Sequence, residues 1–155
     1  MIIPLPAVNS AFGRGPSDQV RPEVLFFYDV ACPYVYLAVP QLLALTERLG
    51  ATIDWRPISL PELFRQGGGA PEVPPLLCGT TRGELQRPLS DRQAMARLDL
   101  LRWAEHLGVA PPLLTEAPRR SVEAQRLLCW SPRVVRPVLT QALLRACYQE
   151  GRDLS

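Results

Sequence analysis

The sequence predicts an α/β fold in which a parallel β-α-β unit is followed by an all-helical stretch. Three observations predict it. Val24 to Tyr28 is a short apolar and aromatic run, the signature of a central strand. Thr52 to Arg56 is a second such run, β-branched and aromatic, and it stops at Pro57. Between them, and again after residue 90, apolar residues recur at helical spacing.

At 155 residues the chain has material for one domain with a real core. Apolar residues make up 47% and charged residues 21%, an ordinary soluble composition. A net charge of +2 argues against a nucleic-acid or polyanion surface. Every basic residue is arginine, so any anion contact falls to a planar, bidentate-capable group. The four cysteines, Cys32, Cys78, Cys129 and Cys147, lie far apart and have one histidine for company, so no metal site is expected. The N-terminus lacks the charged start and apolar core of a secretion signal. Free thiols in a reducing, cytoplasmic compartment are therefore expected. No run reaches the roughly 18 apolar residues of a membrane span.

Residues 1–22 mix Pro, Gly, Ser and Asn without a period and read as a flexible leader, so the domain is expected over 23–155. After the first strand, Asp29-Val-Ala-Cys32-Pro33 ends the run abruptly and delivers one cysteine to the first turn of a helix. Pro33 suits a first helical position, where its missing N–H costs nothing. Val39, Leu42, Leu43, Thr46 and Leu49 carry the helix on to Gly50, with Pro40 expected to kink or restart it. With the second strand this completes the β-α-β unit over 23–60, and its strands should be parallel. Residues 61–89 are rich in Pro and Gly, including Gly67-Gly68-Gly69, and read as one long irregular loop.

The helical stretch is expected over 90–155. Ser90 and Gln93 form a capping box, and Ala94, Met95, Leu98, Leu101 and Ala104 form an apolar stripe that Gly108 closes. Two further helices follow over 121–130 and 132–150, the second striped by Val135, Leu139, Ala142, Leu143 and Ala146. Cys129 and Cys147 fall among apolar neighbours and read as core. Two strands do not make a sheet that is stable alone. Either the helices cover it, another chain completes it, or part of the fold is missing.

Cys32 is the candidate catalytic residue. At a helix start, unpaired N–H groups and the helix dipole favour the thiolate, and an ionised thiol is nucleophilic. Tyr34 stands beside it as a hydroxyl for a bound thiol. Arg56 reads as solvated or paired with a nearby acid, and His106 as a solvated helix residue without a second histidine. Cys78 sits in the proline-rich loop as an exposed thiol or a distant resolving partner. The glycine run lacks the strand-to-helix setting of a phosphate loop.

Taken in order, Asp29-Val-Ala-Cys-Pro-Tyr-Val-Tyr-Leu-Ala38, Asp54-Trp-Arg-Pro-Ile-Ser-Leu-Pro-Glu-Leu-Phe-Arg65, Met95-Ala-Arg-Leu-Asp-Leu-Leu-Arg-Trp-Ala-Glu-His-Leu-Gly-Val109 and Glu150-Gly-Arg-Asp-Leu-Ser155 resemble the DsbA-like thioredoxin superfamily. The 2-hydroxychromene-2-carboxylate isomerase and kappa-class glutathione transferase branch is the most similar part of it. The resemblance implies a thioredoxin-like β-α-β unit with an all-helical insertion. It also implies that Cys32 holds the reactive position, where the isomerases use a serine facing the glutathione sulfur and the oxidoreductases use the first cysteine of C-x-x-C. Val35 stands where the second cysteine would be. Arg65 matches the basic residue that meets glutathione, while Gly69 replaces the asparagine that follows in the isomerases. The family continues past Ser155 into a helix, a cis-proline loop, two strands and a final helix, none of which this sequence contains.

The expected function is thus a thiol-dependent oxidoreductase with a single reactive cysteine, acting on glutathione or a related small thiol. A glutathione-dependent isomerase or kappa-type transferase is the alternative. A non-catalytic remnant that needs a partner chain, or a second copy covering the incomplete sheet, is the third reading. The site residues expected are Cys32 with Pro33, Tyr34 and Arg65 for thiol binding; no metal, membrane or nucleic-acid partner is expected.

Overall fold

The computed structural model describes residues 21–67, 91–114 and 121–154, apart from the side chains of Phe64 and Arg65. β1 (Glu23–Tyr28) and β2 (Thr52–Pro57) pair in parallel, in register from Glu23 opposite Thr52 to Tyr28 opposite Pro57. α1 (Pro33–Leu49) connects them. The β-α-β unit is as expected.

Cys32 is the N-cap of α1, and Pro33 stands in the first turn. The helix runs unbroken through Pro40, so the expected restart does not occur. Pro40 points to solvent, where its ring displaces no core neighbour, and its cost is the hydrogen bond that position 40 does not give to Tyr36. Gly50 ends the helix with φ 63°, a left-handed conformation that glycine adopts without strain, and its N–H bonds the Glu47 carbonyl at 3.2 Å.

Side chains alternate across β1. Val24, Phe26 and Tyr28 turn towards the core, with Tyr28 fully buried, while Leu25 and Phe27 remain 51% and 55% exposed. Phe26 stacks on Tyr28 at 5.1 Å, and Trp55 of β2 meets both rings edge-on at 5.4 and 5.6 Å. This aromatic layer joins Tyr36, Leu37 and Val39 of α1 to Leu100, Ala104, Leu128, Leu144 and Tyr148 of the helical part.

Several elements differ from the sequence expectation. The segment read as an irregular loop over 61–89 begins as a helix, α2 (Leu60–Gln66). Its N-cap Ser59 makes no side-chain capping bond; the Leu60 N–H is instead taken by Asp29, 31 positions away, at 2.9 Å. A long-range cap leaves no local signature. α3 (Asp91–Leu107) buries Leu100 and Ala104, whereas Met95, Leu98 and Leu101 of the expected stripe are exposed. Apolar spacing identifies a helix but not which of two adjacent faces its neighbours cover.

α4 (Val122–Trp130) buries Ala124, Gln125 and Leu128, and leaves Cys129, expected in the core, exposed. α5 (Arg136–Tyr148) starts later than expected, after a turn from Pro132 to Val135. Its core face is Thr140, Leu144, Cys147 and Tyr148, one residue round from the expected stripe. Thr140 is buried because its hydroxyl shares a 2.6 Å hydrogen bond with Tyr28, which an apolar count cannot register. Arg136 ties α4 to the sheet, donating to the carbonyls of Leu128, Cys129, Ser131 and Trp55 at 3.0 to 3.2 Å.

Residues 1–20 of the expected leader, Cys78, Ser90 with its capping role, and Gly68 and Gly69 lie outside the described residues. Among the described residues the sheet has two strands and no peptide bond is cis.

Candidate functional site

The site begins where β1 stops. Asp29 follows the last strand residue and is 1% exposed, yet its carboxylate is fully engaged. Oδ1 accepts the Ala31 N–H and the Gln125 Nε2–H, each at 2.9 Å, and Oδ2 accepts the Leu60 N–H at 2.9 Å. Its carbonyl accepts the Cys32 N–H, also at 2.9 Å. One side chain therefore fastens the β1–α1 turn, the β2–α2 turn and α4 to each other. Buried carboxylates persist when partners of this kind satisfy them.

Sequence reading did not assign Asp29 this role. The available signal was a short acidic side chain directly after a strand, where it can bond the backbone two residues on.

Cys32 is half-buried and carries a free thiol. Burial pushes its pKa up; the amides of Val35 and Tyr34 pull it down, and the nearby Asp29 charge adds to the rise. The net direction is upward, opposite to the thiolate expected from its place at the helix start. The physical reason is in the cap. Cys32 makes no side-chain capping bond, and the Val35 N–H that faces the thiol also bonds the Cys32 carbonyl at 3.0 Å. Desolvation with a carboxylate close by outweighs what remains of the helix-terminus field.

Pro33 is buried in the first turn of α1, as expected. Tyr34 is half-exposed, and its hydroxyl donates to Asp99 of α3 at 3.0 Å. Burial and this bond push the phenol up to about 12. The proton expected to serve a bound thiol is therefore engaged, leaving the oxygen as an acceptor. Asp99 is the second residue that sequence reading missed; it lies 65 positions from its partner. Arg65 lies in α2, and its side chain is outside the described positions.

Arg56 pairs with Asp54 through its Nε at 2.8 Å and its terminal nitrogen at 2.7 Å, as one of its two expectations had it. The Arg56 hydrogen bond holds the Asp54 carboxyl below its ordinary value. His106 is exposed on α3, edge-on to Trp103 at 5.7 Å. Among the described residues no three His, Cys, Asp or Glu side chains converge to hold a metal ion. None of the described helices is long and apolar enough to cross a membrane.

A parallel β-α-β unit with a cysteine capping the connecting helix, followed by a helical segment, defines a thioredoxin-like chain. A model of the DSBA-like thioredoxin domain matches residues 23–155, and the chain belongs to that family. A solved structure of 2-hydroxychromene-2-carboxylate isomerase superposes with a TM-score of 0.62 at 21% identity, over 85% of this chain and 59% of the isomerase. At that identity the likeness shows the fold. This chain spans somewhat over half of the isomerase's length. No curated protein matches the sequence.

Proposed function

We propose that the chain binds a small thiol of the glutathione class at the head of α1, and that Cys32 acts there in protonated form. The S–H group would donate a hydrogen bond to the sulfur of the bound thiolate, the part a serine hydroxyl plays in the isomerase and kappa-transferase branch. The observation that carries this reading is the setting of Cys32, half-buried beside the Asp29 carboxylate with its pKa raised. A valine at position 35 fits it, because a hydrogen-bond donor needs no resolving cysteine. Tyr34, its own proton held by Asp99, would offer an acceptor to the same ligand.

A second reading, the single-cysteine oxidoreductase, is favoured by the thiol itself, since a cysteine can form a mixed disulfide and a serine cannot. Cys32 would attack a disulfide, releasing one half as a thiolate, and an external thiol would then release the other. A raised pKa makes the thiolate scarce at neutral pH, so this chemistry would accelerate as pH rises. Free thiols at Cys32 and Cys129 support a reducing, cytoplasmic setting for either reading.

Cys32→Ser separates the two. Under the first reading the variant still binds reduced glutathione and still lowers the thiol pKa of the bound ligand, seen in its ultraviolet thiolate absorbance, while Cys32→Ala loses the shift. If Cys32→Ser instead abolishes the shift, and the wild type reduces a disulfide that the variant cannot, the oxidoreductase reading replaces it.

A further inference from the structure

A second site borders Gln125, whose amide also bonds Asp29. A cavity of about 290 Å³ opens between the β2–α2 turn and α4, lined by Pro57, Ile58, Ser59, Val122, Gln125, Arg126, Cys129 and Trp130. Neither Cys32 nor Tyr34 lines it. The α4 residues recur at i, i+3, i+4, i+7 and i+8, so they form one stripe of the helix, turned away from its Ala124–Leu128 core face.

Four properties of this stripe point to a ligand. Arg126 is exposed and has no ion-pair partner among the described residues. Cys129 presents an exposed free thiol whose hydrogen bond to the Pro57 carbonyl is a long 4.0 Å. Trp130 is 90% exposed, an unusual cost for so large an apolar ring. Gln125, 5% exposed, gives its Nε2–H to Asp29, while its Oε1 is buried with no hydrogen-bond partner. A buried acceptor left unsatisfied is costly, and a ligand donor entering the cavity would relieve it.

We propose that this cavity binds the disulfide of an amino-acid or short-peptide thiol and that Cys129 is its covalent acceptor. The ligand carboxylate pairs with Arg126, which lies one turn before Cys129 on the same face, and guanidinium suits a carboxylate better than any other side chain. The ligand N–H meets Gln125 Oε1. Its apolar stem lies on Val122, Ile58 and the Trp130 ring. The Cys129 thiol loses its proton to solvent, and the thiolate attacks one ligand sulfur. The ligand S–S bond breaks as the new one forms, and the other half leaves as a thiolate that is reprotonated. Cys129 ends as a mixed disulfide, and one small thiol is released in reduced form. This site is independent of the chemistry proposed at Cys32.

The test uses the full chain with Cys32→Ser, so that Cys32 contributes no adduct. The reduced protein is exposed to cystine, to neutral hydroxyethyl disulfide and to cationic cystamine, and adducts are timed by intact mass and located by peptide mapping. The expected result is an adduct on the Cys129 peptide that forms fastest with cystine. Arg126→Gln should slow the cystine reaction about 1.5- to fivefold, the range for an exposed ion pair, without slowing the neutral reagent. Added salt should reproduce that loss in the parent protein. Equal rates for all three disulfides, an Arg126→Gln variant as fast as its parent, or an adduct mapped away from Cys129 would each overturn the proposal.

Discussion

Asp29 and Cys32 set the chemistry at the scale of single residues. Asp29 is held by three hydrogen bonds, from the β1–α1 turn, α2 and α4, so its carboxylate is fixed near the Cys32 sulfur, whose ionised form it disfavours. Cys32, Tyr28 and Tyr34 all have pKa values raised chiefly by burial. Each therefore holds its proton more tightly folded than unfolded. Their contribution to stability is fully present below the unfolded values, about 8.5 for cysteine and about 10 for tyrosine. It is lost as pH rises through the folded values, up to about 12 for Tyr34. The urea midpoint should accordingly fall between about pH 7 and about pH 10.5, and Cys32→Ala should reduce the fall. A midpoint that holds constant or rises over that range would contradict the assignment. None of this was legible from the motif alone. A cysteine before a proline at a helix start reads as activated, and only the surrounding burial and Asp29 reverse the sign.

At the scale of elements, α1 is the best-specified part of the chain. Its start at Pro33 and its stop at Gly50 are both local chemistry, a fixed φ at one end and a left-handed residue at the other. Pro40 is the one internal conflict. Because it is exposed and the helix is continuous around it, Pro40→Ala should restore the bond to Tyr36 without disturbing packing. A gain of about 1 to 3 kcal/mol in unfolding free energy by urea titration is expected. A loss would mean that the ring supports a bend the fold requires. α2, α3 and α5 were less legible for a common reason. α2 is capped by Asp29, in the turn after β1, and the α5 core face includes Thr140 because Tyr28 bonds it. Such partners are 31 and 112 positions away, and no local pattern contains them.

At the scale of the whole molecule, the outstanding feature among the described residues is a two-stranded sheet with aromatics on its core face and Leu25 and Phe27 exposed on the other. Among the described residues β1 is hydrogen-bonded on one side only, and Leu25 and Phe27 stand exposed beside that open edge. An open edge with apolar side chains invites pairing with another chain. The chain is expected to sediment as a concentration-dependent mixture and to bind an apolar dye, and Phe27→Lys should reduce both. Sedimentation as a dye-free monomer at all concentrations would remove this expectation.

The β-α-β unit, its parallel order, the cysteine at the head of α1 and membership of the DSBA-like family were all carried by the sequence. They rest on strand composition, helical spacing and turn residues that act within a few positions. Tertiary structure alone decided which helix faces are buried, which hydrogen bonds Asp29 accepts, that Cys129 faces solvent and that the Cys32 pKa is pushed up rather than down. Those outcomes depend on burial and on charges brought together across the fold. Desolvation is a property of the packed molecule, and a sequence motif does not contain it.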